Sequence, residues 1–235
     1  MTVPASDPEP PRTDAPAAGS PEPVPLGVKA QILATEHWSL LASRSMTWSE
    51  VMSRITIHLT IASASLVVLA LFAQASGFGS TFRVMAIGLA AAVLVMGTLT
   101  QVRVVNASID DASTILAMNR LRAAYLELDP SLAPYFVASA HDDQQGLMDT
   151  YLLGWPRSTL SHVAASTSIF LTVVNAMVAG TLAALVTGAA GAPGVAVTLV
   201  GVVAGVIYIG IQLAIGQRSF GTLRQPARFP TPEAD

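Results

Sequence analysis

The chain has no cysteine. Disulfides, zinc–thiolate sites, cysteine nucleophiles and thioester or thioether lipid anchors are therefore excluded. Lysine is nearly absent as well: Lys29 stands alone beside eleven arginines. With abundant alanine, that bias points to a high-GC bacterial coding sequence. Charged residues make up only 11% of the chain, against about 25% in an ordinary soluble domain. The net charge of −3 is small and the basic residues form no stripe, so there is no nucleic-acid footprint. No glycine-rich nucleotide loop, H-E-x-x-H pair or nucleophile elbow is present. The most telling absence is local. Between Arg157 and Arg218 there is no Asp, Glu, Lys or Arg, so Ser158–Gln217 cannot furnish a water-facing surface.

What fills that stretch is apolar. It divides at Gly188-Ala-Ala-Gly191-Ala-Pro193-Gly194, a cluster that favours a turn over a continuing helix. On either side, at about Val163–Thr187 and about Val195–Gly216, lies a segment near the roughly 20 residues that a bilayer-spanning helix needs. Ile169, Phe170, Leu171, Val173, Val174, Val178, Leu182, Leu185 and Val186 each favour insertion by roughly 0.3–0.6 kcal/mol. A single central charge would cost about 2.5–3.5 kcal/mol and cancel most of that gain. The spacing thus predicts a transmembrane hairpin over 158–217. A mean hydropathy of +0.56 with 52% hydrophobic residues places the whole chain in the membrane class.

Upstream, residues 1–27 hold eight of the fifteen prolines and four acids, Asp7, Glu9, Asp14 and Glu22. Such a segment is expected to be disordered, and it lacks the basic and apolar regions of a signal peptide. From about Val28 to Ser45, Ile32, Leu33, Leu40 and Leu41 recur near the helical period while Lys29, Glu36 and Arg44 stay polar. That predicts an amphipathic helix on the membrane or in a cytosolic layer. Thr47-Trp48-Ser49-Glu50 reads as a capping box, with Met46 and Val51 at the staple positions. A new helix is expected to begin there, with Trp48 at the interface, and to enter a first span at about Ser53–Ala75. A turn at Gln74–Thr81 leads to a second span at about Phe82–Val102.

Past Arg103 the apolar positions Val105, Ile109, Ala112, Leu116, Ala123 and Leu126 step by three and four, with one step skipped at Asn119. The second membrane helix is expected to run on to about Leu128, with Asp110, Asp111, Arg120, Arg122 and Glu127 facing away from that stripe. Asp129-Pro130 should break it. A short helical piece is expected over Ser131–Ala140, then loop with some helix to Gly154, and Trp155-Pro156-Arg157 returns the chain to the interface. Residues 218–235, with Arg218, Arg224, Arg228, Pro226, Pro230 and Pro232, read as an unstructured tail.

The fold class that follows is all-α: a polytopic membrane protein with four transmembrane helices in two hairpins. The chain divides into a tail (1–27), an amphipathic helix with the first hairpin (28–102), a cytosolic helical segment (103–157), the second hairpin (158–217) and a second tail (218–235). Eleven of the twelve Lys and Arg fall in the N-terminal region, the central segment or the C-terminal tail; only Arg83 lies at a turn. Short loops rich in Lys and Arg stay cytoplasmic, so both termini are expected inside a bacterial cell membrane. All fifteen acids lie on the same side. The order Trp48, Arg54, hairpin, Arg103 is repeated by Trp155, Arg157, hairpin, Arg218. This coarse duplication is parallel, unlike the inverted repeats of many transporters.

Few side chains offer chemistry. Gly201 and Gly205 form a G-x-x-x-G motif, and Tyr208 and Gln212 continue its face. Small residues let helix backbones approach, either within the chain against the third span or at a dimer seam. Asn175, near the middle of the third span, is an intramembrane polar residue suited to interhelical hydrogen bonding. His58 and His162 lie near enough to the cytoplasmic interface to be solvated. His141-Asp142-Asp143 with Asp149 holds ingredients of a divalent-metal or hydrolytic site, but a single histidine and no second motif fall short of one; a solvated loop is the plainer reading. No catalytic residue, cofactor or metal is expected.

Leu40–Arg54 (LLASRSMTWSEVMSR) and Met118–Asp143 (MNRLRAAYLELDPSLAPYFVASAHDD), set between two hairpins, resemble an uncharacterised family of four-span integral membrane proteins of high-GC bacteria. The resemblance spans about Leu33 to Arg218 and implies no activity. By architecture alone, hairpins flanked by cytosolic helices are similar to SLATT-type effectors, which implies a membrane-perturbing role. The expectation is a non-enzymatic membrane anchor or scaffold whose partners are the bilayer and either a sister copy or a cytosolic protein, with a small transporter or channel as the alternative.

Overall fold

A computed structural model describes residues 24–153, 166–221 and 226–232, and within them all regular structure is helical. The expectations for residues 1–23, for Trp155, Arg157 and His162, and for the start of the third span at Val163 lie outside the described residues. Among the described residues, five α-helices follow one another: α1 (Leu26–Ser76), α2 (Ser80–Leu128), α3 (Gln144–Leu152), α4 (Thr167–Ala189) and α5 (Gly194–Phe220). A 3-10 turn at Pro130–Tyr135 follows α2. Four of the helices, α1, α2, α4 and α5, are long and apolar enough to cross a membrane. The all-α, four-span architecture is thus as the sequence indicates.

The helices differ in reach. At about 1.5 Å per residue, α4 is little longer than the hydrocarbon core of about 30 Å. α1, with 51 residues, and α2, with 49, are more than twice as long as the 23-residue α4. Roughly half of each therefore projects beyond the bilayer. The projecting halves lie on one side, because Arg44 of α1, Asp111 of α2 and Tyr151 of α3 meet there. The segment 226–232 joins the same layer through Arg120 and Asp142. Both interhelical turns lie at the opposite end, each with a glycine at positive φ, Gly77 at 71° and Gly191 at 83°. A side chain at either position would be strained.

Several boundaries differ from those read in the sequence. No new helix starts at Thr47: α1 is unbroken from Leu26 to Ser76. The inward positions Leu33, His37, Leu40, Arg44, Trp48, Val51, Ile55 and His58 keep one helical phase through the apparent capping box. Continuing the helix satisfies every backbone N–H internally, so Glu50 is free to bond Arg54 and Arg103 instead. α2 does run to Leu128 and stops at Asp129, whose side chain accepts the Ser131 N–H and starts the 3-10 turn. The helical piece expected over Ser131–Ala140 is therefore that shorter turn. The tail is partly ordered by contact, since residues 226–232 are hydrogen-bonded to the loop before α3.

α2 is the central helix. It packs along α1, α4, the 3-10 turn and α3. α5 packs mainly on α4 and meets α2 at few places. An apolar cluster of Val51, Ile55, Val104, Ala107 and Leu171 ties α1, α2 and α4 together, with Trp48 and Leu59 against it.

Candidate functional site

Polar groups gather in two places. The first is a junction of α1, α2 and α4 inside the membrane-spanning region. His58 (α1), Gln101 (α2) and Asn175 (α4) are each at most 1% exposed. Their meeting depends on Gly97: a Cβ there would stand 2.0 Å from Asn175 Oδ1 and 2.8 Å from His58 Cε1. The glycine leaves the space that the amide occupies. Gln101 Nε2 donates to Ser168 Oγ at 2.9 Å and to the Ser168 carbonyl at 3.2 Å. Among the described residues, both nitrogens of His58, Gln101 Oε1 and both terminal atoms of Asn175 have no partner at full hydrogen-bond geometry, although the His58 and Asn175 side chains lie close enough to interact. A polar atom left unpaired in an apolar interior costs about 1–3 kcal/mol. Asn175 is thus placed among polar residues of two other helices. His58, expected to be solvated, is instead enclosed, because its position falls on the inward phase of α1.

The sequence motif on α5 is placed within the chain. A Cβ on Gly201 would lie 3.0 Å from the Gly180 carbonyl oxygen and 3.2 Å from Ala184 Cβ; one on Gly205 would lie 3.1 Å from the Ala176 carbonyl oxygen. The glycine face therefore packs on α4, the intrachain alternative. Tyr208 reaches past it to α2, where its hydroxyl lies 3.0 Å from Thr98 Oγ1. Gln212 Nε2 donates to that hydroxyl at 2.9 Å.

The second place is the layer beyond the membrane. Asp111, only 4% exposed, accepts from the Arg44 guanidinium, from Trp48 Nε1 at 2.9 Å and from the Tyr151 hydroxyl at 2.8 Å. One carboxylate thus joins α1, α2 and α3. Burial, and then the neighbouring Asp111 charge, push the Tyr151 phenol up. Trp48 is turned inward to this carboxylate rather than lying in an aromatic belt. Asn119, fully buried, uses all its capacity: Nδ2 donates to the His141 and Gly146 carbonyls, and Oδ1 accepts from Arg122 and Thr150. Burial, and then Arg44, lower the pKa of Arg122, while burial and then Arg122 lower that of His37. The His37 ring stacks on Tyr125.

The sequence reading had Asp111 facing away from the apolar stripe, and it is buried. A helix with neighbours on several sides has a wider inward face than a surface helix, and α2 has α1 on one side and α3 on another. The skipped step at Asn119 was the available signal, for there a polar residue holds an inward position. The loop His141–Asp143 is not a solvated one: Asp142 is 3% exposed, and Arg120 pairs with it. Among the described residues no group of three or more His, Asp or Glu is placed to hold a metal ion.

In comparison with known proteins, no family model, no curated protein and no solved structure matches the chain.

Proposed function

We propose that the protein is a non-enzymatic component of a bacterial cell membrane, and that its four spans carry a cytosolic helical layer that binds a protein partner or a sister subunit. The observation that carries this reading is on α1. Trp38 is 71% exposed, and Ile32 and Met46 are exposed as well. Trp38 stands fifteen residues, or about 22 Å, before the expected start of the first span at Ser53, beyond the interfacial zone of roughly 5–7 Å. Lipid therefore does not cover it. Tryptophan is prominent among residues that dominate binding. Ile32 also lines a shallow groove between α1 and the end of α2, with Lys29, Leu33, Ala124, Glu127 and Leu128.

The test is a photo-crosslinking residue placed in turn at Ile32, Trp38 and Met46 in cells. A discrete adduct, either a dimer of the chain or one heterologous protein, is expected. Monomer alone at all three positions would overturn the reading. Orientation rests on the distribution of Lys and Arg. A reporter active only in the cytoplasm should work after Ala138 or at the C-terminus and be silent at Gly79 or Gly191. Activity at Gly191 with silence at the C-terminus would refute both the orientation and the cytosolic layer.

A small transporter or channel is the second reading, and the cluster of buried polar side chains His58, Gln101 and Asn175 within the spans favours it. Flux through liposomes that is lost with Asn175→Ala would place it first. A pore-forming, SLATT-like effector is a special case that rests on architecture. Toxicity on expression that depends on a nucleotide signal separates it from a passive channel.

A further inference from the structure

The segment 226–232 is not long enough to form an element of its own, yet it is among the most heavily hydrogen-bonded stretches outside the helices. Asp142 Oδ1 accepts the Phe229 N–H at 2.7 Å and Oδ2 accepts the Arg228 N–H at 3.1 Å, while the Asp142 N–H donates to the Phe229 carbonyl at 3.1 Å. Asp143 Oδ2 accepts the Thr231 N–H at 2.6 Å, and Oδ1 accepts the Thr231 hydroxyl at 3.0 Å. Arg120 bonds Asp142 and reaches the Pro226 carbonyl at 3.3 Å. Phe229 and Thr231 are partly buried, whereas Arg228, Pro230 and Pro232 are exposed. The segment is bent at Arg228 and Phe229, whose consecutive N–H groups both turn onto the one Asp142 carboxylate.

We infer that Asp142 and Asp143, backed by Arg120, form a binding site for a peptide bent across the Asp142 carboxylate, and that the chain's own residues 226–232 are its ligand. The chemistry of the site is specific. Two adjacent carboxylates present acceptors to backbone N–H groups, which any peptide has, and Asp143 adds an acceptor for a hydroxyl two residues after an aromatic side chain. Recognition through the main chain supplies affinity, and the inward side chains supply selectivity. The ligand therefore has the pattern Phe-x-Thr, and Pro230 and Pro232 lower the entropy lost when it is laid down. Arg120 lets the site be buried, since Asp142 without a guanidinium would be an uncompensated charge.

Occupation by the same chain follows from length. Four residues separate Gly221, the position after α5, from Pro226. A connection so short holds the ligand near its site at an effective concentration in the mM range. The consequence is mechanical. α5 meets α2 at few places within the membrane, and the bound tail gives it a second attachment, to the polar layer. The site thus ties the fourth span to α2 and to the loop before α3. This inference does not require the proposed partner, because the test below reads only the tail.

The chain has no cysteine, so two engineered cysteines label cleanly. Gln145→Cys on α3 and Pro230→Cys on the tail, both at exposed positions, carry nitroxides for distance measurement by pulsed electron resonance on the full chain in lipid nanodiscs. A single narrow distance is expected. Phe229→Pro with Thr231→Pro removes two of the backbone donors from the tail and leaves the body untouched; the narrow component should be lost. Replacing Asp143 would be less informative, because its side chain also caps α3 through the Gly146 N–H. A synthetic peptide of residues 224–235 in mM excess should displace the labelled tail, and the same peptide with both prolines should not. A broad distribution with the native tail, or a narrow one that survives both substitutions, would overturn the inference.

Discussion

In the second hairpin, Gly180 and Gly201 bring α4 and α5 so close that a Cβ on Gly180 would stand 2.7 Å from the Gly201 carbonyl oxygen. In the first hairpin Gly88 has open space around it, and Gly97 is crowded by side chains rather than by a facing backbone. There the pair α1/α2 is tied by Arg103 to Glu50 and by Arg44 to Asp111, both where the helices leave the membrane. The contrast follows from solvent. Within hydrocarbon, burying apolar surface drives no association, so helices attract by close packing and sparse hydrogen bonds. Where the same helices emerge into water, apolar burial and charge become available, and α1 and α2 are long enough to use them.

The largest test of that contrast is Asp111→Ala. It removes the acceptor of Arg44, Trp48 and Tyr151 together. Breaking a buried pair costs about 3–5 kcal/mol. Arg44 keeps about a third of its side chain exposed, so the lower end, about 3 kcal/mol, is expected. Hydrogen exchange should accelerate in the first half of α1 and in α3, and stay unchanged in α4 and α5. Equal acceleration in all four spans would show that the hairpins are not held separately.

Gly180→Val comes next and acts on the other hairpin. Its facing atom is backbone and cannot swing aside, so overpacking by about 1–3 kcal/mol is expected. Gly88→Ala is the matched control and should be silent. Equilibrium unfolding in mixed micelles measures both; a silent Gly180→Val would remove close approach as the force holding α4 to α5.

At the junction of the two hairpins, Gly97→Ala pushes on the ends of two side chains, Asn175 and His58, rather than on a facing backbone. The cost should be smaller, about 1 kcal/mol, and Asn175→Ala should relieve most of it. A double variant whose loss equals the sum of the singles would mean that Asn175 does not rest on Gly97.

How far these features were legible in the sequence depends on which signal each one leaves. Four spans follow from uncharged length, and no packing detail can override that. Gly201 and Gly205 also announced a close approach, since their spacing places them on one face. The spacing alone left the third span and a dimer seam both open, because Gly180, Ala176 and Ala184 carry no distinctive pattern on α4. The Thr47–Glu50 box misled because a capping motif competes with helix continuation, and here nothing breaks the chain before it. Asp111 and Asp142 were hidden for another reason: a charged residue enters the inward face only when a partner far along the chain neutralises it. Arg44 and Arg120 supply that neutralisation, and their distance in sequence leaves no local trace.

The smallest effect belongs to Glu50, and its sign can be worked out. The side-chain bond from Arg103, followed by that from Arg54, lowers the Glu50 pKa to about 2. The unfolded value is about 4.3. A carboxylate with a depressed folded pKa contributes stability that is fully present above the unfolded value and is lost as pH falls through the folded one. The link between α1 and α2 should therefore weaken between about pH 4.3 and about pH 2, and weaken further with salt, since the group is solvent-exposed. The second hairpin offers a built-in reference: from Thr167 to Gln217 it contains no Asp, Glu, His, Lys or Arg, so acid has no carboxylate there to act on. Carbon-detected titration of the Glu50 carboxyl, with amide exchange at Glu50–Arg54 against α4, reads the two together. A midpoint near 4 would mean that Arg103 does not hold Glu50 in the membrane-embedded protein. A parallel acid response in α4 would show that the first hairpin's charge reaches the second, and the comparison between them would fail.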